Sequence, residues 1–164
     1  MSDHRRSIPV GPSRPDGAGR PDRGADGSDT LYARVGGTAW FSGLVDRFYG
    51  RVPAEPALAP MYPDDLTEAK RHLALFLGQY FGGPAAYNAE RGHPRLRMRH
   101  APFVIGPAER DAWLRLMTAA VQGGGLAAAD ENEVLGYFAT AASMLMNAGP
   151  TDGAGTGRMP GPAL

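Results

Sequence analysis

Apolar residues recur every three or four positions through the middle of this chain of 164 residues, and that repeat constrains the fold more than any other feature. Such a spacing places the apolar side chains on one face of a helix. No stretch shows the strict alternation of a convincing β-strand. The sequence therefore predicts an all-α domain built from four stretches: Trp40 to Val52, Leu66 to Phe81, one that begins near Pro107, and one that opens at Asp130.

Residues that begin or break helices bound these stretches. Gly36-Gly37 precedes the first, and Gly82-Gly83-Pro84 stops the second. Glu109 suits the positive N-terminal end of the third helix. Asp130 is predicted to cap the fourth helix, with Glu133 reaching back to complete a capping box.

Both ends of the chain differ from this helical middle. Residues 1–29 and 149–164 mix Gly, Pro and polar residues and contain little that can be buried. Such segments cannot offset the entropy lost on ordering, so we expect both tails to be disordered. One globular domain then remains, at residues 30–148.

Charge and composition exclude several classes of protein. The formal net charge is +0 at pH 7, so a general attraction to nucleic acid or to an anionic membrane is not indicated. With Cys 0, the chain has no disulfide framework and no thiolate metal site. No apolar run is long enough for a transmembrane helix, and the N-terminus lacks an apolar signal core. We therefore expect a cytoplasmic protein.

The segment from Arg91 to Gly106 contains two of the four histidines, His93 and His100, and is too irregular for one long helix. His100 stands directly before Ala101-Pro102, so a helix that runs into it should end there. A histidine held at a helix end among apolar side chains meets the requirement for an axial haem ligand. Two other interpretations remain: a buried histidine bonded to a backbone carbonyl, and a metal site shared with His93 that lacks a nearby third ligand.

An ordered set of short motifs resembles the group II truncated haemoglobins, the bacterial "O" class. The resemblance covers about Thr30 to Ala148 and implies a truncated globin-like two-over-two helical sandwich that encloses a non-covalent haem b. The motifs are Val35-Gly36-Gly37, Arg47-Phe48-Tyr49, Met61-Tyr62-Pro63, Gln79-Tyr80-Phe81-Gly82-Gly83-Pro84, the run from Arg91 to Phe103, and Glu109-Arg110-Asp111-Ala112-Trp113.

The resemblance assigns the iron ligand and the donors to a bound gas. It implies that His100 is the proximal ligand of the haem iron and that Tyr49, Tyr62 and Trp113 lie on the distal side. Phenol O–H and indole N–H groups can donate hydrogen bonds to O₂, which takes up partial negative charge when bound. Without the resemblance, Tyr49 and Trp113 fit ordinary core packing equally well.

The resemblance also implies the rest of the haem pocket. Ala69 matches a small residue that would widen the route to the iron. The expected walls are Leu73, Phe76, Leu77, Met98 and Ile105. The candidates to anchor the haem carboxylates are Tyr87, His93 and Arg99. His72 departs from the family, because relatives often place Arg or Lys near this position.

Three functions follow from these features. The first is reversible binding of O₂ and other diatomic ligands, CO and NO, although several hydrogen bonds to one ligand would slow release and argue against facile oxygen transport. The second is a haem enzyme, a nitric oxide dioxygenase or a peroxidase-like protein, which would need an electron donor such as an unidentified reductase. The third is a cofactor-free helical interaction module. The oligomeric state, including a homo-oligomer, is left open.

Overall fold

The computed structural model describes residues 29–149 of the chain. Within that range the chain forms two short 3₁₀ turns, Val52–Ala54 and Ala59–Met61, and no β-strand, which confirms the all-α prediction. The predicted disordered tails, residues 1–29 and 149–164, lie outside the described residues except for Asp29 and Gly149. The α-helices of the described range are α1 (Leu31–Val35), α2 (Gly37–Tyr49), α3 (Thr67–Tyr80), α4 (Ala86–Arg91), α5 (Leu96–His100), α6 (Pro107–Gln122) and α7 (Ala128–Leu145).

The four long helices pack in pairs around one apolar core. Helix α2 lies against α3, α6 lies against α7, and contacts between α2 and α6 join the two pairs. Each long helix contributes fully buried side chains, as its apolar repeat predicts. The largest of these are Phe41, Leu44, Phe48, Leu77, Met117, Val121, Val134 and Phe138. No helix of the described range is long and apolar enough to cross a membrane.

Two side chains of α2 reach the C-terminal end of α6. The indole N–H of Trp40 donates to the carbonyl of Gly124 at 3.1 Å, and Nε of Arg47 donates to the carbonyl of Ala120 at 2.8 Å. Ala120 lies in the last turn of α6 and Gly124 lies just beyond it, where carbonyls have no partner within the helix, so these bonds satisfy groups that would otherwise need water. They also fix how far α2 and α6 are shifted along one another.

The segment between α3 and α6 contains two short helices separated by irregular chain. Helix α5 ends at His100, as the following Ala101-Pro102 predicts. Helix α6 begins at Pro107, and Oε2 of Glu109 accepts the N–H of Gly106 at 2.9 Å, as expected for an acidic residue in the first turn.

The predicted start of α7 is wrong by about one turn. The helix begins at Ala128, so Asp130 lies within its first turn and does not cap it. Alanine has the highest helix propensity, and the alanines before Asp130 extend the helix in the N-terminal direction. The Asp130 carboxylate instead accepts a hydrogen bond from Nε of Arg34 at 2.9 Å, which ties α7 to α1.

The turn after α3 depends on its double glycine. Gly82 has a φ of 99°, in the left-handed region, and the N–H of Gly83 donates to the carbonyl of Gly78 at 2.8 Å. A Cβ atom on Gly82 would lie 2.6 Å from Cβ of Thr30, and one on Gly83 would lie 2.6 Å from Cδ2 of Tyr32. The two glycines therefore allow the start of the domain to lie directly against the end of α3.

We expect Gly82→Ala to lower the free energy of unfolding by about 2 kcal/mol or more, because it combines a left-handed backbone with a steric overlap. Urea unfolding of the full chain measures this. Gly136→Ala is the matched control. Gly136 lies in α7 with open space around it, so alanine there should raise the free energy of unfolding by up to about 1 kcal/mol. Equal stability of the two variants would contradict the role assigned to the turn.

Candidate functional site

A deep cavity opens between the helix pairs. The empty space between its walls, including the open solvent at its mouth, is about 1010 Å³. Helices α2, α3, α5, α6 and α7 all contribute to its lining, together with the chain between α2 and α3. Most of the lining side chains are apolar, so the few polar groups among them determine what the cavity can bind.

His100 is one of these polar groups. Its ring is partly buried in the cavity wall, and Nδ1 lies 2.7 Å from the carbonyl oxygen of Leu96, one turn earlier on α5. A carbonyl only accepts, so Nδ1 must carry the proton and donate, which leaves a lone pair on Nε2. Burial lowers the pKa of His100, and the hydrogen bond to Leu96 opposes this to a smaller extent. A neutral imidazole with its Nε2 lone pair available is the form that binds a transition metal.

Three hydrogen-bond donors also face the cavity: Tyr49, Tyr62 and Trp113. The Tyr49 and Tyr62 rings meet edge to face with centroids 5.8 Å apart. Burial raises the pKa of both phenols, and a hydrogen bond with Trp113 partly opposes the shift at Tyr62. The two hydroxyls therefore stay protonated at neutral pH and can donate to a ligand.

Most of the predicted wall residues line the cavity. On α3 the small Ala69 is followed by larger apolar side chains one and two turns later, and all of them lie at the cavity, as does Ile105. The α3 residues at the cavity are Ala69, Leu73, Phe76 and Leu77. Met98 does not line it: its side chain is 60% exposed. Because His100 faces the cavity from the same short helix, a residue two positions away points elsewhere.

Sequence reasoning missed the contribution of α7 to this site. Tyr137, Phe138, Ala141, Ala142 and Leu145 all line the cavity. All of them except Tyr137 belong to the apolar repeat of the fourth predicted helix. That repeat indicates that the side chains are buried, but it does not indicate whether they face a cavity or another helix. The adjacent small residues Ala141 and Ala142 are the sequence signal for a cavity here, because they leave space on a helix face whose other side chains are large and apolar.

Comparison with known proteins decides which family uses this arrangement. The family model of bacterial-like globins matches residues 30–147. The chain belongs to the bacterial-like globin family. A group 2 truncated haemoglobin of Bacillus subtilis is 50% identical to this globin over 90 residues, which make up 55% of this chain and 68% of that protein.

Solved structures agree with this globin in fold and in group. A group II truncated haemoglobin from Bacillus anthracis superposes with a TM-score of 0.72 at 40% identity, over 76% of this chain and 95% of that one. An oxygen-avid truncated haemoglobin from Bacillus subtilis superposes with a TM-score of 0.69 at 41% identity, over 73% of this chain and all of that one (100%). These matches confirm the group II truncated haemoglobin predicted from the ordered motifs.

Three residues predicted to anchor haem carboxylates lie outside the cavity lining of this globin. Tyr87 is completely buried, its ring packs on Phe76 with centroids 5.5 Å apart, and its hydroxyl has no partner among the described residues. Arg99 donates through Nε to the carbonyl of Pro94 at 2.8 Å, and so braces the backbone that leads into α5. His93 is exposed, and its Nδ1 accepts the N–H of Arg95 at 3.2 Å.

His72 lies in an ion-pair network between α3 and α4. Its side chain is buried, and Nε2 is 3.1 Å from Oε1 of Glu90 and 3.5 Å from Oε2 of Glu68. In residues 29–149 these three side chains are the one group of histidines and acids that lie close enough together to hold a metal ion. The guanidinium of Arg71, however, contacts all three, so an organic cation already occupies the centre of the group.

The contacts of the histidines bear on two sequence-based interpretations, the role of His72 and a metal site shared by His93 and His100. His72 is paired with carboxylates of its own chain. It is therefore not free to take the place of the Arg or Lys that relatives often have near this position. Within the described residues, neither His93 nor His100 belongs to a cluster of metal-ligating side chains, and the alternative of a shared His93/His100 site therefore finds no third ligand.

Proposed function

We propose that this globin holds haem b non-covalently in the cavity, with Nε2 of His100 bound to the iron, and that it reversibly binds O₂ and other diatomic ligands such as CO and NO. The observation that carries this proposal is the His100 ring, whose Nδ1 is committed to the Leu96 carbonyl while the ring lies in the wall of a large apolar cavity. When bound, ferrous haem supplies the metal that takes up the gas.

The protein's own contribution to ligand binding comes from its buried donors. Tyr49, Tyr62 and Trp113 face the same cavity and are held by packing before any ligand arrives. A hydrogen bond to a charged or partly charged acceptor contributes about 1.5–3 kcal/mol. One such bond lost or gained changes a dissociation rate by roughly ten- to a hundred-fold. We infer slow O₂ release, which agrees with the oxygen-avid character of the relative from Bacillus subtilis.

The haem carboxylates also find a candidate partner. The buried Tyr87 hydroxyl is unpartnered among the described residues and belongs to a ring that packs on the cavity wall at Phe76. An unpartnered buried hydroxyl costs free energy, so a carboxylate oxygen delivered by the cofactor would relieve that cost. Because Arg99 and His93 already bond to backbone groups, we rank Tyr87 first among the three predicted anchors.

Absorption spectra of the purified full chain test the proposal. We expect a strong haem band in the ferric state, a five-coordinate ferrous form with a histidine ligand, and stable O₂ and CO complexes. Protein that is folded and helical but takes up no added haem would contradict the proposal and favour the cofactor-free interaction module.

Slow ligand release also favours a second candidate function, a haem enzyme that acts on bound O₂ or on peroxide. Dioxygenation of nitric oxide by bound O₂ yields nitrate and consumes one electron, for which we infer a separate reductase. The rate of nitric oxide consumption by the O₂-bound protein under a reducing system distinguishes the two functions. Turnover limited only by the supply of electrons supports the enzyme, whereas a single stoichiometric reaction supports ligand binding alone.

A further inference from the structure

Helix α5 is too short to fix the position of His100 by itself. It has five residues, Leu96–His100, and it is preceded by Arg95 in a left-handed conformation with a φ of 46°. A helix of one to two turns is not stable in isolation, because nucleation fixes several residues for few hydrogen bonds. The direction of the His100 ring therefore depends on what holds the chain on either side of α5.

The chain that follows His100 is held by a residue from the far end of the domain. Asn147 lies just beyond the end of α7, and its Nδ2 donates to the carbonyl of Phe103 at 2.7 Å. Its Oδ1 accepts the N–H of Ile105 at 2.9 Å, and its own backbone N–H donates to the carbonyl of Ile105 at 3.0 Å. One side chain thus satisfies a donor and an acceptor of the same loop.

This loop is also the one that closes α5. The N–H of Phe103 donates to the carbonyl of His100 at 3.0 Å, and the Phe103 side chain is buried. Nδ2 of Asn147 lies 3.4 Å from the same His100 carbonyl. The turn that terminates α5 is therefore held by its own bond from Phe103 to His100 and by the Asn147 side chain, which bonds to His100, Phe103 and Ile105.

We infer that Asn147 is a positioning residue for His100: it holds the turn after α5 and so sets the direction in which the imidazole Nε2 faces the cavity. This inference rests on the proposed function, in which His100 binds the haem iron. Asparagine suits the role because its amide offers a donor and an acceptor together. Aspartate keeps the acceptor toward Ile105 but replaces the donor with a charge that the Phe103 carbonyl repels.

The test compares full-length, haem-loaded Asn147→Ala and Asn147→Asp with the native protein. Asn132→Ala serves as the matched control, since Asn132 is exposed on α7. Resonance Raman spectroscopy of the ferrous protein reports the iron–histidine stretching band. Hydrogen exchange of the same haem-loaded protein reports the Ile105 N–H.

We expect Asn147→Ala to shift or broaden the iron–histidine band and to speed exchange at Ile105 by roughly ten-fold, the effect of losing about one net hydrogen bond. Asn147→Asp should protect the Ile105 N–H more than alanine does, yet still alter the band. Asn132→Ala should change neither signal.

Faster exchange at Ile105 with an unchanged iron–histidine band in both Asn147 variants would overturn the inference, because Asn147 would then stabilise the loop without orienting the ligand. The proposed function would survive that result. Absence of any iron–histidine band in the native protein would instead contradict the proposed function itself.

Discussion

His100→Ala is expected to abolish the five-coordinate, histidine-ligated ferrous haem and to weaken haem retention. The variant removes the imidazole whose Nδ1–H is held by Leu96 and whose burial lowers its pKa, so nothing on α5 replaces the Nε2 lone pair. Absorption and resonance Raman spectra of the ferrous protein measure the loss. Added imidazole should enter the space left by the side chain and partly restore the native spectrum.

The control for this experiment is His93→Ala. His93 is exposed and bonds only within its own turn, so its removal should leave the haem spectrum intact. An unchanged ferrous spectrum in His100→Ala, together with haem loss in His93→Ala, would show that the ligand assignment is wrong.

Trp113→Phe is expected to bind haem normally and to release O₂ roughly ten-fold faster or more, if one net hydrogen bond of about 1.5 kcal/mol is lost. Phenylalanine keeps most of the apolar bulk that packs on Phe48 and Phe138, and it removes the indole N–H. CO release should change less, because bound CO carries less negative charge. Stopped-flow displacement of O₂ and CO measures both rates.

Tyr62→Phe extends the same experiment. It should also speed O₂ release. Because Trp113 and Tyr62 line the same cavity and would donate to one ligand, the double variant should not show the sum of the two single effects. An unchanged O₂ release rate in Trp113→Phe, with haem bound, would show that Trp113 is only a packing residue. The tyrosines alone would then be the donors to the ligand.

The helices, and the end of α5 at the proposed iron ligand, were accessible from the sequence because local signals encode them. The apolar repeat that includes Phe41, Leu44 and Phe48 predicts one buried face of a helix, and that face is buried. Pro102 predicts the end of α5 at His100, and the helix ends there. Only the ordered motifs, however, separated His100 from an ordinary buried histidine, because a single side chain does not reveal what it faces.

Other features of the site depend on contacts between distant parts of the chain. Met98 and Arg99 belong to the same motif as His100, yet one is exposed and the other braces the backbone at Pro94. Which side of a five-residue helix faces the cavity is decided by tertiary packing and not by a periodic pattern. Asn147 gave no signal at all, since its partners lie more than 40 residues away.

The bonds from Trp40 and Arg47 to the end of α6 have a consequence for the donors at the cavity. Tyr49 lies on α2 and Trp113 lies on α6, so the same two bonds that stop these helices from sliding also set the spacing of the donors. The polar groups that would meet a bound gas are therefore preorganised by the scaffold, and their alignment costs nothing when the ligand arrives. In the proposed function, the alignment of the donors is thus set at the opposite end of α6 from Trp113, by two residues that lie outside the cavity lining.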